Sequence, residues 1–433
     1  MNKHILKTVS LLLVLTLLPV SLMAACNNDK PDDTPTEAGT TVPTEAPTAA
    51  PTEAPTEAPT EPETEEVKAP MIDISEFSDL NKMVTPFWRT NVMYNEITSF
   101  IVRDDGTITA KLLFKPTKIM SVRSNDLKTE YKEGVDYTWD GSSNTLVWKD
   151  GSSIKYFTQN DIHGKDENGN YIPEYPNWDA LSRSRFGDQL YCVAAFLYEK
   201  QIQVTYEYEY GSWDGPVTEY QGNLLPKTME KLQNDEEINI VFWGDSIFTG
   251  CDSSKMYNRD PQQESFPDFV KEVLSEKYGI HVRRYNPSVG GKDSAWGVSD
   301  VNLVIDKEPD LVFIGFGMND GGKSGREVGK NIEKIMAAIK EKYPDCEFVV
   351  VCSMVPNKDA GFLSTHTQFP KVFSQLQGEG VAYVDMFNFH SKLLETKDFI
   401  SMSGNNINHP NDWLIRVYTM NMLSALIDYN AAQ

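Results

Sequence analysis

Four short pieces of the chain pair a polar side chain with glycines or loop-forming residues. Gly244-Asp245-Ser246-Ile247 follows directly on the apolar run Ile238 to Trp243. A serine at such a strand-to-loop transition exposes its hydroxyl at a sheet edge, and Gly244 lets the backbone turn sharply. Asn286-Pro287-Ser288-Val289-Gly290-Gly291 follows the extended run His281 to Tyr285, and its glycines admit a ligand close to backbone N–H groups. Gly317-Met318-Asn319-Asp320 follows a third run, and Asn408-His409-Pro410-Asn411-Asp412 lies near the C-terminus. A hydroxyl and an imidazole are the parts of nucleophilic catalysis, because a hydroxyl is too weak a nucleophile unaided. Asp245 and Asp320 read as acceptors that brace their loops. His163, His281, His366 and His390 lack such surroundings and read as ordinary. Trp296 fits either the floor of a cleft or a packed core.

These pieces must be held by a regular framework. After Leu225, the apolar runs Ile238 to Trp243, Leu311 to Phe316, Phe348 to Val351 and Val381 to Val384 alternate with amphipathic stretches. Phe266, Phe269, Val270, Val273 and Leu274 recur at helical spacing, as do Val328, Ile332, Ile335, Met336 and Ile339. Strands alternating with helices predict a parallel sheet covered on both faces. Reactive groups then gather at the carboxyl ends of the strands, where the four pieces fall.

From about Met71 to Leu225 the texture is different. Short alternating runs such as Ile108 to Phe114 and Gln201 to Tyr208 are separated by turn signals at Asp105-Gly106, Glu133-Gly134, Asp140-Gly141 and Asp150-Gly151. This spacing predicts an all-β sandwich. Trp139, Trp148, Trp178 and Trp213 suit sugar stacking, although core packing and cross-strand pairing are the favoured account of them.

Ahead of these regions, Lys3 and Lys7 precede an apolar run from Val9 to Leu18 that is short for a membrane span. Leu22-Met23-Ala24-Ala25-Cys26 then resembles a bacterial lipoprotein cleavage site. Residues 1–25 are read as the export signal and Cys26 as the lipid-modified end. From Pro31 to Pro62 a Thr-Glu-Ala-Pro pattern recurs, which neither forms a helix nor buries a core. Residues 26–70 are therefore an extended acidic stalk. The net charge of -23, with no basic run, argues against a nucleic-acid partner. Cys192, Cys251, Cys346 and Cys352 show no metal-ligand spacing, and no disulfide is expected.

The four pieces, in this order, resemble the signature blocks of the SGNH (GDSL-like) hydrolase superfamily over roughly residues 238–427. The resemblance implies a flavodoxin-like three-layer α/β/α domain at 226–433 behind a jelly-roll-like β-sandwich at 71–225. It implies Ser246 as nucleophile and His409 as general base, with an oxyanion hole from the N–H groups of Ser246 and Gly291, Gly290 being the alternative, and the Asn319 amide. No metal or cofactor is needed for such chemistry. The family usually places an acid three residues before the histidine, where this chain has Asn406. The expectation is a Ser-His dyad, with Asn406 or a backbone carbonyl orienting His409, and with Asp412 and Asp293 as candidates for a displaced acid. The architecture resembles two-domain bacterial carbohydrate O-acetylesterases acting on acetylated polysaccharides such as xylan or mannan. Cell-wall glycans, small acyl esters, or glycan binding without catalysis are the other readings.

Overall fold

A computed structural model describes residues 79–174, 181–184, 187–192, 195–234 and 237–431. The expected signal, stalk and Cys26 lie outside the described residues, as does Trp178. The first described region is a curled seven-stranded sheet. Its strands are β1 (Val92–Val102), β2 (Ile108–Lys111), β3 (Pro116–Ser124), β4 (Tyr137–Thr138), β5 (Thr145–Trp148), β6 (Tyr156–Phe157) and, after the small β7 (Leu181–Arg183) and β8 (Leu190–Cys192) hairpin, β9 (Gln201–Tyr208). The order is β3-β9-β1-β2-β5-β4, with β6 added against β1. The sandwich takes its form from β1, which belongs to two leaves. Its first part pairs antiparallel with β9 and its last residues pair with β2 and β6. A register shift between Met93 and Glu96, with Asn95 at φ 51°, bends the strand between them.

The second region is a five-stranded, wholly parallel sheet. Strands β10 (Ile238–Gly244), β11 (Val282–Tyr285), β12 (Leu311–Gly315), β13 (Glu347–Cys352) and β14 (Val381–Asp385) lie in the order β11-β10-β12-β13-β14. This is the flavodoxin-like order, with its switch point beside β10. The helix Phe266–Tyr278 covers one face through Phe266, Phe269, Val270, Val273 and Leu274, and the helix Gly325–Lys342 covers the other through Val328, Ile332, Ile335 and Ile339. Both are the amphipathic stretches marked by periodicity. The last helix, Asp412–Leu426, is buried along its whole length.

The two regions share one hydrophobic cluster, running from Phe87, Ile97 and Tyr206 to Trp413 and Val417. Within it, Glu96 and Lys397 form a fully buried ion pair. Glu96 also accepts from Leu113 N (2.8 Å) and from the Tyr206 hydroxyl, so its carboxylate is well solvated by protein. Trp213 stacks on Phe389, Trp148 meets Tyr156 edge-on, and Trp139 donates to Ser143 O. These tryptophans are packing residues. Cys251, Cys346 and Cys352 are buried and form no disulfide among the described residues.

Candidate active site

The site is built on the turn that leaves β10. Gly244 and Gly315 are register partners on β10 and β12. A methyl on either would collide with the Phe248 ring, at 2.7 Å from Gly244 and 1.8 Å from Gly315. The paired glycines make the slot into which Phe248 folds back, and this plugs the turn against the sheet. Asp245 Oδ1 accepts Ile247 N at 3.0 Å, Thr249 N donates to Asp245 O, and the Thr249 hydroxyl donates to Ser246 O at 2.7 Å. Ser246 is thus held at the carboxyl end of β10, beside the switch point of the sheet.

Asp245 is the brace that the sequence suggested. Burial pushes its carboxyl up to about 7. Asp320, also buried, accepts both the N–H and hydroxyl of Ser294, and Lys323 bridges it to Asp293 at 2.9 and 2.6 Å. These contacts lock the loop after β11 to the loop after β12. Val289 N donates to Gly244 O, and Asn286 Nδ2 donates to Phe248 O at 2.8 Å, which fastens the same loop to the Ser246 turn.

The consequence is that Ser246, Gly291 and Asn319 lie on three mutually tied loops. Gly291 adopts φ 71°, a conformation open to glycine. Asn319 Nδ2 donates one hydrogen to Lys292 O at 3.0 Å, leaving the second. The backbone N–H groups of Ser246 and Gly291 donate to no acceptor among the described residues. Trp296, by contrast, packs on Trp243 with ring centroids 4.6 Å apart.

His409 reaches this site from a loop shaped by asparagines. Asn405 Oδ1 accepts the N–H groups of Ile407, Asn408 and His409 at 2.9, 3.0 and 3.1 Å. Asn411 caps the last helix through Leu414 N. His409 Nε2 lies 2.8 Å from Ser246 Oγ, and His409 Nδ1 lies 2.6 Å from Asp252 Oδ2. A carboxylate only accepts, so Nδ1 carries the proton and Nε2 is left to accept from the serine hydroxyl.

Where a Ser-His dyad was expected, Asp252 extends the contacts into a hydrogen-bonded chain Ser246-His409-Asp252. It sits six residues past Ser246 on the same loop, at φ 68°, with only 3% of its side chain exposed. Asn406 makes no hydrogen bond to His409 among the described residues; its Nδ2 donates to Leu190 O at 3.1 Å, and its carbonyl accepts from Asn357. Neither other candidate acid reaches the imidazole. Asp412 accepts Ser254 N at 2.9 Å, and burial pushes its carboxyl up to about 6. Asp293 caps the helix Ser294–Ser299 and pairs with Lys323. The usable signal in the sequence was proximity alone: an acid on the nucleophile's own loop, in a residue type that tolerates left-handed backbone.

Residues 242–413 match the model of the GDSL-like Lipase/Acylhydrolase family. The C-terminal region thus carries a domain similar to this family's, and the match takes in all four pieces from Gly244 to Asp412. No curated protein matches the chain. Among solved structures, a two-domain esterase (CEX) active on acetylated mannans, co-crystallised with mannopentaose, is 19% identical at a TM-score of 0.39. The match covers 50% of this chain and 58% of that one, so this chain spans little more than half of that esterase's length. A carbohydrate esterase family 3 protein from Talaromyces cellulolyticus is 14% identical, over 43% of this chain and 94% of its own, at a TM-score of 0.34. The SGNH-hydrolase family esterase AlinE4 is 24% identical over 36% and 79%, at a TM-score of 0.29.

Proposed function

We propose that this protein hydrolyses O-acetyl esters on carbohydrates by acyl transfer through Ser246. The observation that carries the reading is the unbroken chain Ser246 Oγ, His409, Asp252, at 2.8 and 2.6 Å, beside two backbone N–H groups with no other acceptor among the described residues. Ser246 Oγ attacks the acyl carbon as its proton passes to His409 Nε2. The oxyanion is held by the N–H groups of Ser246 and Gly291 and the remaining Asn319 amide hydrogen. Collapse expels the sugar alcohol, which takes the proton from His409. Water, activated by the same imidazole, then releases acetate and restores the serine.

The carbohydrate part of the reading rests on the build of the chain. An export signal, a lipid-modified Cys26 and an acidic stalk would present the enzyme outside the cell, where acetylated polysaccharides are met as polymers. A β-rich domain pressed against the catalytic loops suits such a substrate. The reading of a decayed site, which Asn406 suggested, loses its support once Asp252 supplies the acid.

The test is acetate release from acetylated xylan and acetylated mannan, with Ser246→Ala as control. Release by the wild type and none by the variant is the expected result. Binding without release, together with failure of Ser246 to react with a fluorophosphonate, would overturn the reading in favour of a glycan-binding protein. Turnover confined to small acyl esters would retain the chemistry and remove the carbohydrate.

A further inference from the structure

The loop that carries His409 is fastened to the N-terminal region at two points. Gln201, the first residue of β9 and 3% exposed, uses both hydrogens of its side-chain amide on that loop. Its Nε2 donates to Ile400 O at 3.0 Å and to Ser403 O at 2.9 Å. Ser403 turns this anchor toward the base, since its hydroxyl donates to His409 O at 2.8 Å. Gly404 N donates to the same carbonyl at 3.0 Å. Gly404 also lies so close to Asp252 that a methyl there would stand 2.3 Å from the Asp252 Cβ. On the other side, Asn406 Nδ2 reaches Leu190 O at the start of β8.

We propose that Gln201 is a positioning residue, through which the N-terminal β-domain sets the His409 loop against Asp252 and Ser246. This rests on the esterase reading only for its effect on rate; the geometric claim stands apart from it. The chemistry of the amide fits the task. Two convergent carbonyls require two hydrogens from one rigid, uncharged donor, and glutamine supplies them while glutamate and methionine cannot. The catalytic domain is then complete only with the β-domain docked. Asn406, at the position where the family usually keeps its acid, is the second fastening.

The experiment uses the full chain, comparing wild type, Gln201→Met and Asn406→Ala, each checked for folding by near-ultraviolet circular dichroism. The primary readout is the low-field proton resonance of His409 Nδ1–H, assigned by its loss in His409→Gln. In Gln201→Met the resonance is expected to broaden away or move upfield as the Nδ1 to Asp252 contact loosens. Turnover of p-nitrophenyl acetate is expected to fall about ten- to thirtyfold, the scale of a sub-ångström misplacement, with KM within about twofold. In Asn406→Ala the loss is smaller, under about tenfold. An unchanged resonance in a folded Gln201→Met overturns the proposal, whatever the rate does. A resonance that depends on Gln201 in a protein without esterase activity removes the esterase reading and leaves the positioning role standing.

Discussion

Replacing Asp252 by asparagine tests the triad most directly. The change keeps size and shape and places an amide where the carboxylate now accepts from His409 Nδ1 at 2.6 Å. If the new NH2 faces the ring, it donates to Nδ1 and forces the proton onto Nε2. An Nε2–H cannot accept from Ser246 Oγ, so the dominant tautomer is the inactive one. The side chain is 3% exposed, so little water is at hand to substitute for the lost carboxylate. In a full triad this exchange costs on the order of 10⁴ in rate, equivalent to about 5.5 kcal/mol of transition-state stabilisation. Asp252→Asn is expected to lose that much in kcat on p-nitrophenyl acetate, with KM little altered and the fold intact. Asp412→Asn and Asp293→Asn, measured alongside, are expected to lose far less, because both acids brace loops without touching the imidazole. A folded Asp252→Asn within about tenfold of wild type would refute the assignment, since a base that keeps its tautomer without Asp252 is oriented by something else.

Other consequences can be measured separately. Asn319→Ala is expected to lower kcat by roughly 10² to 10³ at unchanged KM, the scale of one oxyanion donor, and an effect confined to KM would place Asn319 in ground-state binding. Gly404→Ala must displace Asp252 or the histidine loop, so it is expected to lose activity steeply, yet to add nothing on top of Asp252→Asn; additive losses would show that Gly404 acts elsewhere. His390 is fully buried, and burial lowers it from 6.5 to about 3, so the stability it supports is present above about 6.5 and is lost as pH falls toward 3. Across that window it contributes about 1.4 kcal/mol per pH unit, so His390→Leu is expected to flatten the acid side of the stability curve; identical acid midpoints would refute this. For the proposed anchor, Cys26→Ala is expected to move the protein from the membrane fraction to the soluble one, and persistence in the membrane fraction would remove the lipoprotein reading.

The parallel sheet was legible because its inner strands β10, β12 and β13 are buried on both faces and therefore read as nearly unbroken apolar runs, while its helices carry their core residues at helical spacing. The serine, histidine, asparagine and glycine of the candidate site were legible because each stands in a short local pattern at the end of a strand. Asp252 was not, because what makes it a partner of His409 is a contact across 157 positions of chain, created by a left-handed turn and by the glycine at 404. Neither leaves a local signature, since Gly404 is required by a neighbour in space and not by its own backbone angle. Position 406 carries no acid. A neutral residue there can orient an imidazole only weakly, and a buried carboxylate brought in from the nucleophile's own loop makes that orientation unnecessary. Once Asp252 holds the ring, position 406 is free of the charge that would have barred it from donating to Leu190 O, and an asparagine can serve the junction between domains. In the folded chain Asn406 makes a contact to the β-domain, and Asp252 makes the contact to His409. Aspartate at 406 would place a second carboxylate in a buried loop whose neighbouring acceptor, Leu190 O, it could only repel.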